Sequence, residues 1–540
     1  MKYIFVTGGV MSSVGKGVST ASIGRILQSR GYRVQLVKCD MYVNIDAGTM
    51  RPTEHGEVFV GEDGIEADQD LGNYERFTDI TATRDNYITT GQVYQAVIDS
   101  ERSFGYEGED VEVVPDIPNE IIRRVNLAAR RARAEIVIIE IGGTVGEYQN
   151  ILFLEAIRML KLKHPQDVAL VLVSYLPIPK SVGEMKTKPT QYAARSLNAA
   201  GLQADFILCR AERRIDEPRR KKLAIFCGIP EGNAISAPDV ESIYEIPVNF
   251  EREGLSDKLL KKLDLKPRQR DLKNWQKLAR RIKGAGEPLK IGIVGKYFGT
   301  GDFMLADSYI SVIESIRHAA SALSRRPEIT WLNSEAYEKD RRALKELEQY
   351  QGIIVPGGFG SRGVEGKIRA IQYAREKKIP YFGLCYGMQL ATVEFARHVC
   401  GLKDAHTTEI NPKTKHPVIH LMPEQLKHLA RKLYGATMRL GAYPARLEKD
   451  SLVAKAYGFT RISERHRHRY EFNNDYRARL EKKGMRFSGT SPDGQLVEII
   501  ELKDHPFFVG VQFHPEFKSR PLVPHPLFLA FVKAGIANRK

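Results

Sequence analysis

The sequence predicts an α/β protein made of two parallel-sheet domains joined by a basic helical linker. Three observations predict it. Short β-branched runs alternate with helical patterns through the first 265 residues, the alternation restarts at residue 289, and the stretch between is rich in Lys and Arg. With 540 residues, the chain is too long for a single hydrophobic core.

In the first half, residues 3–7, 33–38, 135–141, 167–174 and 204–209 read as strands, separated by helical patterns such as residues 120–134. Residues 266–288 read as the linker, with an amphipathic helix around 275–282 and a break at Gly284-Ala285-Gly286-Glu287-Pro288. The second half reads as strand 289–294, helix 307–323, strand 352–355, helix 366–377, strand 380–384 and helix 387–399. The expected organisation is therefore two Rossmann-like domains, 1–265 and 289–540, flanking a 266–288 linker.

Composition excludes several classes. With 42% hydrophobic and 27% charged residues and 45 glycines, the chain is neither disordered nor fibrous. No run approaches the roughly 20 apolar residues that span a bilayer, and the N-terminus leads into glycines rather than into a signal peptide, so no membrane partner and a cytoplasmic location are expected. The cysteines Cys39, Cys209, Cys227, Cys385 and Cys400 form no CxxC pair, which argues against a disulfide framework or a zinc site. A net charge of +16 suits a polyanionic ligand. The basic runs lack interleaved aromatics, so nucleotide phosphates are expected rather than nucleic acid.

The first chemical motif is Thr7-Gly8-Gly9-Val10-Met11-Ser12-Ser13-Val14-Gly15-Lys16-Gly17, which follows a strand and opens a helix. Backbone N–H groups of such a turn, with Lys16, hold phosphates. It departs from the standard P-loop, because Val10 stands at the first glycine position and Gly17 replaces the Ser or Thr that binds Mg²⁺. Metal ligands must come from elsewhere, and Asp70 and Glu140 are the candidate carboxylates.

The second motif, Gly383-Leu384-Cys385-Tyr386-Gly387-Met388-Gln389, sets a cysteine on a tight strand-to-helix turn. His514 and Glu516, two residues apart at a strand end, project to one side. His514 can serve Cys385 as base and Glu516 can orient it, while the Gly357-Gly358 turn after another strand can supply oxyanion donors.

These three residues resemble the triad of class I glutamine amidotransferases. The runs Gly8 to Gly17, His55-Gly56-Glu57-Val58-Phe59-Val60, Asp70-Leu71-Gly72-Asn73-Tyr74-Glu75-Arg76-Phe77, Gly142-Gly143-Thr144-Val145-Gly146, Lys186-Thr187-Lys188-Pro189-Thr190-Gln191 and Arg465-His466-Arg467-His468-Arg469-Tyr470-Glu471 resemble, in that order, the CTP synthase family over nearly the whole chain. The resemblance implies ATP-dependent amination of UTP to CTP with ammonia from L-glutamine, a Mg²⁺ cofactor, GTP as allosteric activator, CTP as inhibitor, and a homotetramer able to form filaments.

Residue by residue, the resemblance assigns ATP to Ser13, Val14, Gly15, Lys16, Gly17, Val18, Lys38, Asp70, Pro238, Asp239 and Val240, and Mg²⁺ to Asp70 and Glu140. It assigns UTP or CTP to Ser12, Glu147, Tyr148, Gln149, Lys186, Thr187, Lys188, Pro189, Thr190, Gln191 and Lys222. Glutamine falls to Gly358, Tyr386, Gly387, Met388, Gln389, Glu409 and Arg469, with Arg469 on the carboxylate and Glu409 on the ammonium.

The chain also departs from the family pattern. Gly146-Glu147-Tyr148-Gln149-Asn150 stands where the family usually has Gly-Asp-Ile-Glu-Ser; Met41 and Ala47 replace prolines, Asp116 and Pro118 replace His and Thr, and Tyr192 replaces His. In the GTP-response loop Tyr434 and Ala436 replace Leu and Gly, while Thr437-Met438-Arg439-Leu440-Gly441 is intact. Weaker CTP feedback and a surviving GTP response follow as expectations. Two alternatives are another ATP-dependent glutamine amidotransferase, of the cobyrinate diamide synthase kind, and a nucleotide-sensing scaffold whose synthesis is silenced. Retention of Lys16, Asp70, Glu140, Cys385, His514 and Glu516 argues against the scaffold.

Overall fold

A computed structural model of the chain describes all residues except 296–298, 301–302, 305, 423–424, 426–434 and 539–540; for residues 53, 299–300, 303–304 and 306 it describes the backbone alone. The residues gather into two units, one of 1–46 with 70–283 and the other of 47–69 with 284–540.

In the first unit the strands are β1 (Lys2–Gly8), β2 (Val34–Asp40), β3 (Tyr87–Thr89), β4 (Ile136–Ile141), β5 (Val168–Tyr175), β6 (Phe206–Ala211) and β7 (Ala234–Pro238). They form one sheet in the order β3-β2-β4-β1-β5-β6-β7, with every neighbouring pair parallel. Helices cover both faces of such a sheet, so its strands read as continuous apolar runs, and β4 (IVIIEI) is buried throughout. The exception within β4 is Glu140. Register sets it beside Val6 on one side and Lys38 on the other, near the carboxyl ends of the strands where α/β sheets hold ligands.

Helix α1 (Lys16–Ser29) leaves the turn after β1, and α2 (Asp70–Phe77), α3 (Lys188–Ala199) and α4 (Glu217–Cys227) complete the surroundings of the site. The helix expected over 120–134 runs over Val113–Arg131. Within the stretch read as a linker, α5 (Lys273–Lys283) packs on this first unit. Trp275 is buried beside Phe77 and Tyr244, and its indole N–H donates to the Tyr244 carbonyl at 2.8 Å.

The second unit carries β8 (Pro288–Gly295), β9 (Arg326–Asn333), β10 (Gly352–Val355), β11 (Tyr381–Leu384), β12 (Arg439–Leu447), β13 (Arg461–His468), β14 (Met485–Thr490), β15 (Val497–Leu502) and β16 (Phe508–Val511) in one sheet. Its order is β9-β8-β10-β11-β16-β15-β14-β12-β13. Only the first five are parallel; the other four continue antiparallel. The second domain is α/β as expected, its sheet mixed rather than parallel throughout. Strand β13 escapes a hydropathy reading because it buries Glu464, Arg465, His466 and His468 beside a single apolar side chain, Ile462.

Helices α6 (Ile310–Ala322), α7 (Tyr386–His398) and α8 (Pro526–Ala537) sandwich this sheet, giving one apolar core on each face. Residues 47–69 belong to this unit although they lie early in the sequence. They hold a small hairpin, Phe59–Val60 against Glu66–Ala67, whose acids neutralise β13: Arg465 reaches Glu62 at 3.0 Å and Arg467 reaches Glu66 at 2.8 Å.

Candidate functional site

In the first unit the turn after β1 has the shape of an anion-binding loop. After β1 the backbone turns through positive φ at Val10 (78°), Ser13 (55°) and Gly15 (90°), and Gly15 starts α1 without any side-chain cap. The leading N–H groups of α1 are thus left for a ligand. Lys16 crosses the turn and donates to the Gly143 carbonyl at 2.8 Å. Burial and the neighbouring Lys38 charge lower its pKa, while Glu140, Asp70 and Asp40 work the other way. Ser12 is exposed at the mouth of this turn.

The structure explains the missing P-loop hydroxyl. A Cβ on Gly17 would lie 1.7 Å from Asp70 Oδ1, so the carboxylate of α2 fills the space where a Ser or Thr would stand. Asp70 and Glu140 then face one cation, the Lys38 ammonium, at 2.5 Å and 2.9 Å. Tyr74 donates its hydroxyl to Glu140 at 2.5 Å. Burial would raise the Asp70 pKa, but the Lys38 charge and hydrogen bond hold it down at about 2. Burial and the Asp70 charge push Glu140 up to about 7 against the pull of Lys38 and Lys16. Two acids converging on a buried stand-in cation fit a divalent metal whose P-loop ligand is absent.

Beside Gly15 lies an apolar cavity of about 120 Å³ lined by Val18, Pro238, Ile243, Ile246 and Phe250. Arg210, which sequence reasoning did not single out, closes it. Its guanidinium donates to the carbonyls of Ala237 and Pro238 at 3.0 and 3.2 Å and to Asp239 at 2.8 Å. The structure thus brings Pro238 and Asp239 to the phosphate loop, and Val240 follows them half-buried.

Lys186 to Gln191 lead into α3, which packs on the loop because Gly9 leaves room for Ala193. Gln191 donates to Thr187 Oγ1 at 3.0 Å, and buried Thr190 bonds Ser174. Pro189 sits in the first turn of α3. Lys222 is exposed on α4, which is tied to this region by Arg219 to Glu184 (2.7 Å) and by Lys188 over Phe226. Glu147 accepts from the Thr144 N–H at 3.0 Å and from its hydroxyl, Tyr148 is 93% exposed, and Gln149 is also exposed.

In the second unit Cys385 joins β11 to α7 with φ 48° and ψ −98°, a conformation that costs a non-glycine residue strain. The close packing beneath it explains Gly387, whose Cβ would lie 2.1 Å from the Val355 carbonyl. His514 Nδ1 bonds Glu516 Oε1 at 2.7 Å, Phe517 stacks on the ring, and Nε2 makes no hydrogen bond among the described residues. A Cβ on Gly357 would meet His514 Cε1 at 2.8 Å and Cys385 Cβ at 3.7 Å, so all three surround one point. Burial pulls the His514 pKa down, but Glu516 and Cys385 outweigh it and push it up to about 10. A charged imidazole beside the sulfur is the setting that activates a cysteine nucleophile.

The pocket over this triad, about 470 Å³, is lined by Gly358, Cys385, Arg469 and His514, with Gly48 and Met50 on a facing wall. Segment 47–69 thus contributes lining residues that the sequence did not reveal. Glu409 accepts from the Gly360 N–H at 2.7 Å, and Tyr386 donates to the Gly360 carbonyl at 3.2 Å. Arg469 donates to Gln425 at 2.6 Å and Thr437 at 2.8 Å. Met388 turns into the core against Gly510, and Gln389 donates to the Tyr470 carbonyl. In the run that the resemblance links to GTP, the half-buried Arg439 lies between Glu471 (3.2 Å) and Glu498 (2.8 Å); Ala436 has φ 51°, and Tyr434 lies outside the described residues.

Residues 2–265 match the CTP synthase N-terminus family model, and residues 304–534 match that of class-I glutamine amidotransferases. A CTP synthase of Prochlorococcus marinus is 50% identical over 538 residues, covering 99% of both chains. One of Picosynechococcus is 51% identical over 535 residues, covering 99% of this chain and 95% of its own. The chain belongs to the CTP synthase family. A solved glutaminase domain of Trypanosoma brucei CTPS with bound acivicin is 40% identical, with TM-score 0.43, covering 47% of this chain and 95% of its own. The steric fit assigns Gly17 to the accommodation of Asp70 rather than to a degraded motif. Among the described residues no helix is long and apolar enough to cross a membrane.

Proposed function

We propose that the chain aminates UTP to CTP, consuming ATP and water and using the amide nitrogen of L-glutamine, with glutamate, ADP and phosphate as the other products. One observation carries the reading: a buried Cys–His–Glu constellation occurs in a chain whose other unit presents a phosphate turn with two metal-ready carboxylates. The Cys385 thiolate attacks the glutamine carboxamide, His514 delivers the proton with which ammonia leaves, and water then cleaves the thioester. Arg469 takes the substrate carboxylate and Glu409 its ammonium. Backbone N–H groups after Val355, with that of Tyr386, receive the oxyanion.

In the other unit ATP phosphorylates O4 of the uracil ring, and ammonia displaces that phosphate. The α1 N-terminus and Lys16 hold the polyphosphate, and the cavity closed by Arg210 takes adenine. Asp70 and Glu140 would hold Mg²⁺, which when bound neutralises the charge on the transferring phosphoryl group. Lys38 must then give up its carboxylate partners, which frees its ammonium for phosphate oxygens. Lys186 to Gln191 with Lys222 receive the UTP triphosphate. GTP activation, CTP inhibition and assembly into tetramers or filaments belong to the same reading.

The test is the ultraviolet change from uracil to cytosine when UTP, ATP, Mg²⁺ and glutamine are mixed with the protein. Glutamate release without that change, at saturating UTP and ATP, overturns the synthase reading.

A further inference from the structure

Three alternate positions at the end of β16, Gln512, His514 and Glu516, serve the same corner of the second unit, yet only two have a role in the reading above. Gln512 is fully buried and donates its Nε2–H to Cys385 Sγ at 3.6 Å. Its orientation is fixed by a chain of bonds. The Tyr470 carbonyl accepts from Gln389 Nε2 at 3.0 Å, and the same nitrogen donates to Gln512 Oε1 at 3.3 Å. The carbonyl end of Gln512 therefore faces Gln389, and its N–H end faces the sulfur.

The sulfur has a second polar neighbour of opposite character, the Arg467 carbonyl at 3.8 Å, to which the thiol donates. When the thiol ionises, that contact loses its proton and sets two electron-rich atoms against each other. The Gln512 N–H becomes a charge-assisted bond at the same moment. The two contacts thus favour different protonation states, and Gln512 favours the reactive one. The remaining charged or titratable groups around the sulfur are His514 with Glu516 behind it, and Arg467, whose guanidinium is held by Glu66; His466 and His468 on β13 are kept neutral chiefly by burial.

We propose that Gln512 is a further catalytic residue of the amidotransferase unit, a buried donor that holds the Cys385 thiolate and is itself held in orientation by Gln389. The inference rests on reading Cys385 as the nucleophile.

Its test is the pH profile of iodoacetamide alkylation of the full-length protein, with Cys385→Ala as blank. Burial pushes the thiol pKa of Cys39, Cys209, Cys227 and Cys400 up, so alkylation near neutral pH reports on Cys385. Gln512→Met, similar in volume but without the donor, is expected to move the apparent thiol pKa up by about one unit and slow alkylation at neutral pH about tenfold. Gln512→Glu is expected to move it further. A Met variant with unchanged cooperative unfolding and a profile superimposed on the parent overturns the proposal. If Gln512→Met does not fold, Gln389→Leu, which releases the orientation of Gln512, is expected to give a smaller shift of the same sign, and an unshifted profile there overturns it equally. Glutaminase activity surviving in Cys385→Ala would overturn the nucleophile reading instead, a separate result.

Discussion

Gly17 and Asp70 share one volume: a single methyl group on the glycine would fall 1.7 Å from the aspartate oxygen. Restoring the hydroxyl of a standard P-loop with Gly17→Ser should therefore displace Asp70 rather than add a metal ligand. A displacement on the order of an ångström costs about a hundredfold in rate. Synthesis should fall by at least that factor with either glutamine or ammonia as nitrogen source, while basal glutaminase turnover persists. Asp70→Asn, measured in parallel, should show the same pattern; normal ammonia-dependent synthesis in Gly17→Ser would refute the steric account.

Cys385→Ala should abolish glutamine-dependent CTP formation and leave ammonia-dependent formation within about twofold of the parent, because the phosphoryl chemistry lies in the other unit. Measuring both rates on one preparation checks it. Loss of both together would remove Cys385 from its assigned role.

His514 gives a pH prediction with a definite sign. Its pKa is raised from an ordinary value near 6.5 to about 10 in the folded protein. The stabilisation from binding this proton is complete below about pH 6.5 and is lost as pH rises toward 10. Urea unfolding of the parent and of His514→Gln should show a stability difference that shrinks steadily across that window. A difference constant from pH 6.5 to 10 would contradict a charged His514.

In the proposed reading, product inhibition turns on Glu147, Tyr148 and Gln149. The Glu147 carboxylate is already occupied by Thr144, and Gln149 offers no charge where the resemblance sets an acid. One charge-assisted hydrogen bond, about 1.5–3 kcal/mol, corresponds to roughly tenfold or more in affinity. The triple variant Glu147→Asp, Tyr148→Ile, Gln149→Glu should bind CTP more tightly by about that factor, with UTP affinity little changed. Inhibition constants at fixed UTP and ATP settle it, and equal constants would leave this segment without a part in feedback.

The parts of the molecule legible in the sequence are those whose physics is local. The doubly covered strands β1, β2, β4 and β5 read as largely apolar runs broken by few polar residues, and the Cys385 elbow and the His514–Glu516 pair are written within a few residues each. Strand β13 was not legible, because Arg465 and its neighbours suggest a solvated basic run. In the fold Arg465 is 1% exposed and paired with Glu62, 403 residues away. Arg210 and Gln512 were missed for a related reason: each acts through a partner that only tertiary structure supplies. Gln512 did leave a trace, since it stands two residues before His514 as Glu516 stands two after.

The chain passes between its two units at residues 46–47, 69–70 and 283–284, so no single cut separates them. A fragment starting at residue 284 keeps Cys385, His514 and Glu516 but leaves behind Gly48, Met50, Glu57 and Val58, which line the same pocket. Such a fragment keeps the three residues proposed for hydrolysis and lacks part of the lining of the pocket around them. The early placement of residues 47–69 in the sequence therefore makes the complete pocket, unlike the Cys–His–Glu constellation, a property of the unbroken polypeptide.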